Sequence, residues 1–513
     1  MLSGFWIQAF LTVVCVFLLY TLSKIIRYLT GDARVLSSPN SAGSNRRRLG
    51  HFEEIFDMLS LDKSGNTNIC VSISTTSKQS LVYQHVYDAL VLLSKRQPML
   101  RAVIETMANG DRYFEIKEIN EVITMLDITT SDVNASDWQS VWFEYTVKPR
   151  GNGLLWRVVI LQEEFMQDTK DYANTLMFNF HHACIDGVCS VKFCEQFLNY
   201  MNELANGTSS ADEEISSLDL LPYYHEIVTR GRIWHSLFNF ILAYSGLRLL
   251  MKFCMEKILN RLIQKKPNNP YHSQFPRNSE VCTAVPGRLN VKVFTENETK
   301  DIIQACKTSN CTVTGAIAAA AHLAYCKLIG PDQSLVLNLP FAINAQRFCD
   351  PKPHKEYLGY FVYNCENIYM EYLTGDTADF WKLAQETTQQ IKDFVKKEAY
   401  VSEATVVNGL LEPRELFDLW VSDDLFVKGG CNVMSSLGSF NFGNHQPEPY
   451  VLHECFINAL VHGLPYTFCH FIHTINGKMT WQIVSNDAVH TKHMEKFANL
   501  CFNILSKMSQ NVA

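Results

Sequence analysis

The segment Phe178 to Gly187, FNFHHACIDG, sets two adjacent histidines at the end of an apolar run, with an aspartate-glycine pair beyond three further residues. An imidazole with an ordinary pKa near ~6.5 accepts a proton at neutral pH and so suits general-base work. An alcohol proton is far less acidic. Its removal must therefore be concerted with attack on an electrophile, an assistance worth ~10²–10⁴-fold in rate. Adjacent strand residues face opposite sides, so His181 and His182 do not share a metal ion; one faces a cleft and the other packs inward. Asp186 lies beyond the turn and reads as structural, a buried carboxylate paired with an arginine. Gly187 reads as the residue that lets the chain turn sharply and enter a helix close to the sheet. Cys184 is a rival nucleophile beside a base, but nothing nearby in sequence orients it. The stretch SSLGSFNFG, Ser435 to Gly443, reads as a loop whose hydroxyls could meet a developing oxyanion. Two core histidines satisfied by carbonyls, plus a turn-forming Asp-Gly, would be the bland explanation; the strand-end position favours function.

The flanking sequence supplies that strand end. TLMFNF and LLWRVVIL are apolar and β-branched or aromatic, as buried strands are. After Gly187 the period changes, with Val191, Cys194, Phe197, Leu198 and Met201 on one helical face and Asn206-Gly207 as a stop. Gln79 to Ser94 is another helix, and LRAVIETMANGDRYFEI a hairpin about Asn109-Gly110. From Asn290 the chain restarts with two helices, the second ending at Gly330-Pro331. Strands at SLVLNLPFAIN, LGYFVYNCENIYM and MTWQIVSN follow, then a final helix from His493 to Met508. Strands and helices mix in both halves, which gives α/β layers twice over. The expected division is a membrane anchor at 1–30, a flexible tether at 31–50, a first subdomain at 51–210, a linker at 211–285 and a second subdomain at 286–513. Within the linker, Ile233 to Phe253 is apolar but carries Arg248 and Lys252. It reads either as a helix lying in a membrane interface or as an ordinary core helix.

Composition sets the outer bounds. The chain has 513 residues, 47% of them hydrophobic, and a net charge of -7. That argues against a nucleic-acid surface, which needs a basic face. The 16 cysteines are dispersed without zinc spacing and read as free, buried thiols of a reducing compartment. Phe5 to Leu22 carries no charge over roughly the ~17–25 residues needed to span a bilayer. It lacks the basic start and small-x-small end of a cleavable signal. Basic residues follow it (Lys24, Arg27, Arg34, Arg46 to Arg48), which places the body on the cytosolic side, with the endoplasmic reticulum as the expected membrane. The Asn-x-Ser/Thr sites at Asn134, Asn206, Asn297 and Asn310 read as unmodified.

The motif HHxxxDG, here His181 to Gly187, resembles the signature of the CoA-dependent acyltransferase superfamily, which includes alcohol acetyltransferases, wax ester synthases and peptide-synthetase condensation domains. QPMLRAVI, LLWRVVIL, CTVTGAIAAAAHLAY and NLPFAINAQRF with EYLGYFV resemble further family elements in the same order, from about residue 51 to 508. The resemblance implies an α/β fold of two chloramphenicol-acetyltransferase-like subdomains forming a V with a central tunnel. It implies that His182 is the general base and Asp186 the structural aspartate, with Arg347 its partner, and that Ser435 and Ser436 belong to a substrate tunnel. The chain lacks the DFGWG of the plant branch, and Thr314-Gly315 stands where wax ester synthases have Asn-Asp, so the alcohol-acetyltransferase branch is the nearer. No bound cofactor is implied; acyl-CoA is the co-substrate.

The resulting expectation is a membrane-anchored, monomeric acyltransferase that moves an acyl group from acyl-CoA to the hydroxyl of a lipophilic alcohol. N-acylation of an amine, or a non-catalytic lipid- or partner-binding role on the same fold, are the alternatives.

Overall fold

The computed structural model describes residues 45–510, apart from 62–65, 148–152, 231, 245–246, 266–267, 276–287, 331–334, 366–367, 373–379, 444–447 and 462–463. The apolar run Phe5 to Leu22 lies outside these residues. Among the described residues no single helix is long and apolar enough to cross a membrane.

Two mixed sheets carry the fold. In the first, the spatial order is Tyr450–Ala459, Ile69–Ser77, Asp171–Phe180, Trp156–Gln162 and Ile128–Asn134, with Glu164–Met166 paired beside them. Asp171–Phe180 lies centrally, antiparallel to both neighbours, and Phe180 stands opposite Ile69 on one side and Trp156 on the other. Its C-terminal residues are all buried, which explains why the run preceding the histidines is apolar rather than alternating. The Gly187–Ala205 helix covers one face, where Phe178 meets Phe193 and Phe197 edge-on at 4.9 and 5.2 Å.

The second sheet runs in the order Val362–Cys365, Phe341–Asn344, Gly430–Phe440, Tyr466–Ile475, Lys478–Ser485 and Arg288–Val293. Its inner helix, Val313–Ile329, is buried along almost its whole length. That helix is capped by the Thr312 hydroxyl, which accepts from the Gly315 amide, and ended by Gly330 at φ 60°, as the Gly-Pro pair predicts. Phe468 stacks on Phe497 of the Thr491–Gln510 helix at 3.8 Å and meets Tyr325 of the inner helix edge-on at 6.4 Å, so both helices pack on the same face.

Three expectations change. First, the tether does not extend to residue 50. Arg46–Arg48 is a strand that pairs with Arg112–Ile116, and the Arg47 guanidinium donates two bonds of 2.7 Å to the fully buried Glu53 carboxylate. Arg46 to Arg48 read as the end of the tether because their partners, Glu105, Glu53 and Asp111, carry no local signal. Second, the sequence halves are not contact units. Tyr450–Ala459 leaves the second half to complete the first sheet, from Tyr450 opposite Ser77 to Ala459 opposite Ile69. Asn202 fixes its start by donating to the Tyr450 carbonyl and accepting from the Tyr450 amide. Third, the Ser-Gly stretch expected as a loop is the end of the Gly430–Phe440 strand. It carries a register shift between Ser436 and Gly438, which Gly438 permits at φ +102°.

The Arg47–Glu53 pair gives a test. Removing one partner of a buried pair strands a charge, so Glu53→Ala is expected to cost about 3–5 kcal/mol. Asp418→Ala, at the exposed helical pair with Arg414, is expected to cost about 0.5 kcal/mol or less. Urea-denaturation midpoints of the two variants should separate accordingly.

Candidate active site

The turn after Phe180 divides its two histidines between different jobs. His181 packs inward, 5% exposed. Its Nδ1 accepts the Ala183 amide at 3.2 Å, so the proton sits on Nε2, which faces the Ser60 hydroxyl at 2.9 Å and Asp57 Oδ1 at 3.6 Å. Asp57 also takes a bond from Arg112 at 3.0 Å. Ser60 and Asp57 lie on the His51–Leu61 helix, and the same helix supplies Phe56, which stacks on the His182 ring at 4.3 Å and 5°. One helix therefore braces both histidines. Tyr360 meets the His182 ring edge-on at 5.7 Å.

His182 lines a cavity of about 830 Å³ whose walls are mainly apolar, among them Trp420, Val433, Leu460, Val461 and Phe471. Its Nδ1 is enclosed without a hydrogen-bond partner of good geometry, which leaves Nε2 as the nitrogen available to a molecule in the cavity. Burial drives its pKa down to about 4, and nearby backbone groups of His182 and Ile185 offset that only in part. The ring is a neutral base at physiological pH.

Asp186 caps the Gly187–Ala205 helix. Oδ1 accepts the Cys189 amide and Oδ2 the Phe361 amide, each at 2.8 Å, and its own amide donates to the Gly359 carbonyl at 3.1 Å. Burial pushes the carboxyl above its ordinary range, and the amides pull it back. The expected ion pair with Arg347 does not form. Two main-chain donors already occupy the carboxylate oxygens, and the Arg347 guanidinium lies over the Phe348 ring at 5.8 Å, although both residues border a second cavity. Gly187 has no left-handed φ, so no sharp turn demands it. A Cβ there would stand 2.6 Å from a terminal methyl carbon of Leu437 on the second sheet, so the Leu437 side chain would have to shift to admit one.

That second cavity, about 1100 Å³, lies on the other side of the same wall. Gly187, Ala342, Val362, Ser435 and Leu437 line both spaces. The second also carries Arg347 and Lys392, with Ser436 bonded to Thr314 between hydroxyls at 3.0 Å. The structure thus brings His182, Gly187, Ser435 and Ser436 to one septum. Cys184 is excluded from it, being 1% exposed with its thiol directed at the His181 carbonyl. Among the described residues no cluster of three metal-ligating side chains is gathered, and no described cysteine is in a disulfide.

Phe56, Asp57, Ser60 and Tyr360 were not singled out from the sequence. The helical spacing of Phe52, Ile55, Phe56 and Leu59 in HFEEIFDMLSL was the available signal for the first three.

The chain is similar to trichothecene 15-O-acetyltransferase TRI3 from Fusarium sporotrichioides (13% identity, 90% of this chain and 95% of that one, TM-score 0.65). It is also similar to polyketide synthase associated protein 5 from Mycobacterium tuberculosis (12%, 90% and 98%, 0.57) and to the condensation domain of the Monacolin K polyketide synthase MokA (13%, 92% and 99%, 0.56). At these identities the likeness establishes the fold alone. No curated protein sequence matches. The alcohol acetyltransferase family profile matches residues 129–505, most of the chain, and the protein belongs to that family.

Two outcomes follow from the site. A folded-state pKa depressed below the ordinary ~6.5 means that neutral His182 stabilises the fold fully above pH ~6.5, and that this contribution is lost as pH falls toward 4. The stability difference between the native chain and His182→Gln should therefore shrink across that interval in pH-dependent denaturation. Asp186→Asn turns a donor toward one of two amides, so it should destabilise the chain by about 1–3 kcal/mol. It should also lower kcat/KM while leaving His182 in place, as thermal melts with parallel kinetics would read.

Proposed function

We propose that the protein transfers an acyl group from acyl-CoA to the hydroxyl of a lipophilic alcohol, with His182 as general base. The observation that carries this reading is the septum: a neutral imidazole on the apolar side, and Arg347 and Lys392 on the other. Cations suit the phosphates of a coenzyme A donor. An apolar chamber suits an acceptor or acyl chain that leaves water readily. The two expected arms of a tunnel correspond to these two spaces.

In the reaction, His182 Nε2 takes the hydroxyl proton as the oxygen attacks the thioester carbonyl carbon. The carbonyl π electrons move to oxygen. The Ser435 hydroxyl, on the shared wall, is the donor proposed for that oxyanion. When the oxyanion collapses the C–S bond breaks, the imidazolium returns its proton to the thiolate, and an ester and free coenzyme A remain. His181 acts only through the backbone, since its ring is committed to Ser60 and Asp57. The family assignment and the 15-O-acetyltransferase relative favour a hydroxyl over an amine acceptor. The segment at residues 5–22 is proposed to anchor the chain in the endoplasmic reticulum membrane with the catalytic body toward the cytosol.

The full-length protein should release free thiol from acyl-CoA only when an alcohol is supplied, and His182→Ala should slow this by at least ~10²-fold. Undiminished ester formation by His182→Ala, or faster transfer to a matched amine than to the alcohol, would overturn the reading.

A further inference from the structure

The Leu247–Lys265 helix has its apolar residues on the wrong side for a soluble core. Leu249 is 79% exposed, Leu250 59%, Phe253 52% and Ile258 53%. A helical period puts these on one outward face together with Cys254, Lys257, Arg261 and Lys265, all exposed. The helix's acid, Glu256, falls at the edge of that face. On the opposite side Met251, Met255 and Leu259 are half-buried, Arg248 binds Glu412 at 2.6 Å and Lys252 binds Glu415. The inner cations are thus spent on the Pro413–Trp420 helix, whereas Lys257, Arg261 and Lys265 form no ion pair with a described residue. Lys257 lies over the Phe253 ring at 4.4 Å.

We propose that this face docks on a lipid bilayer bearing anionic headgroups, with Leu249, Leu250, Phe253 and Ile258 entering the head-group boundary and the three free cations meeting the charge. Charge complementarity selects this occupant. The whole chain carries -7, yet this face concentrates cations between large apolar side chains, a pattern that suits an acidic membrane surface rather than an acidic protein. The position has a consequence for the reaction. The ion pairs tie the docking helix to Pro413–Trp420, and Trp420 lines the apolar cavity beside His182. Docking therefore sets the acceptor chamber against the membrane, where a lipophilic alcohol partitions. This last step rests on the proposed transfer to such alcohols; the docking itself does not.

Cys254 sits within the face and reports on it. The full-length protein would be reconstituted on phosphatidylcholine vesicles with and without phosphatidylserine. Alkylation of Cys254 by a membrane-impermeant maleimide would then be followed in its own peptide by mass spectrometry. Any anchor at the N-terminus inserts in both vesicles, so the difference isolates this surface. Phosphatidylserine should slow alkylation, and Lys257→Gln/Arg261→Gln/Lys265→Gln should weaken that lipid-dependent contact roughly 100-fold. Leu249→Ser/Phe253→Ser should abolish protection on both vesicles. Equal alkylation on both vesicles and in their absence overturns the proposal. So does protection that rises with protein concentration without lipid, which would assign the face to a second copy of the chain. Thiol release from acyl-CoA with a water-soluble alcohol should stay unchanged in both variants. Its loss in the native chain would strike the transfer reading, and lost protection with intact transfer only the docking surface.

Discussion

The arrangement at the septum depends on a clasp between two pieces of backbone. Asp186 accepts the Phe361 amide through its side chain and donates its own amide to Gly359. Between those contacts sits Tyr360, against the His182 ring. A carboxylate that accepts main-chain N–H groups makes charge-assisted bonds worth about 1.5–3 kcal/mol each, more than a typical neutral bond. Two such bonds hold a turn whose other residues are apolar. Because the partner is main chain, the clasp fixes distance directly, where a long arginine would leave slack. The segment that wraps the imidazole is thus tied to the turn that presents it.

The same enclosure sets the chemistry. A pKa of about 4 makes His182 a weaker base than a free imidazole. Yet the shift comes from lost solvation, and no neighbouring cation causes it. In the proposed transfer, alkoxide character and an oxyanion would develop beside the ring, and their negative charge would favour the imidazolium and raise the pKa as the proton moves. Basicity then appears with the transition state rather than before it, so the resting site holds no unpaired buried charge. Phe56 stacked on one face and Tyr360 at the edge keep the ring in the orientation this requires.

What the sequence disclosed was local. The apolar run ending in His181-His182, the helix from Gly187, the Asn109-Gly110 hairpin and the cap at Gly330 all follow from nearest-neighbour rules, and the structure has them. What stayed hidden was pairing across distance. Nothing near Arg47 announces Glu53 as its partner, and nothing in YVLHECFINA says that it joins a sheet built more than 250 residues earlier. Asp186 illustrates the same limit. A buried carboxylate invites a cation, but main-chain amides satisfy it equally, and composition cannot tell these apart. Ser435 and Ser436 were noticed for their hydroxyls but misplaced in a loop, because a register shift at Gly438 looks like turn chemistry when only the residues are read.

The septum also explains why the motif ends in glycine. Gly187, the first residue of its helix, and Leu437, on the second sheet, nearly touch, and each borders both cavities. A Cβ at 187 would meet the Leu437 Cδ2 methyl at 2.6 Å, so that side chain would have to turn aside and open the wall. A smaller residue at 437 would do so from the other side. In the proposed transfer the thioester carbonyl would come to this wall from one space and the hydroxyl from the other, which calls for a thin wall. The least material that can separate two chambers is a Cα without a Cβ, backed by a single branched side chain. The crossing strand Tyr450–Ala459 and the Asp186 clasp hold the turn and the two sheets together at this wall, where the glycine leaves the Leu437 methyl its room.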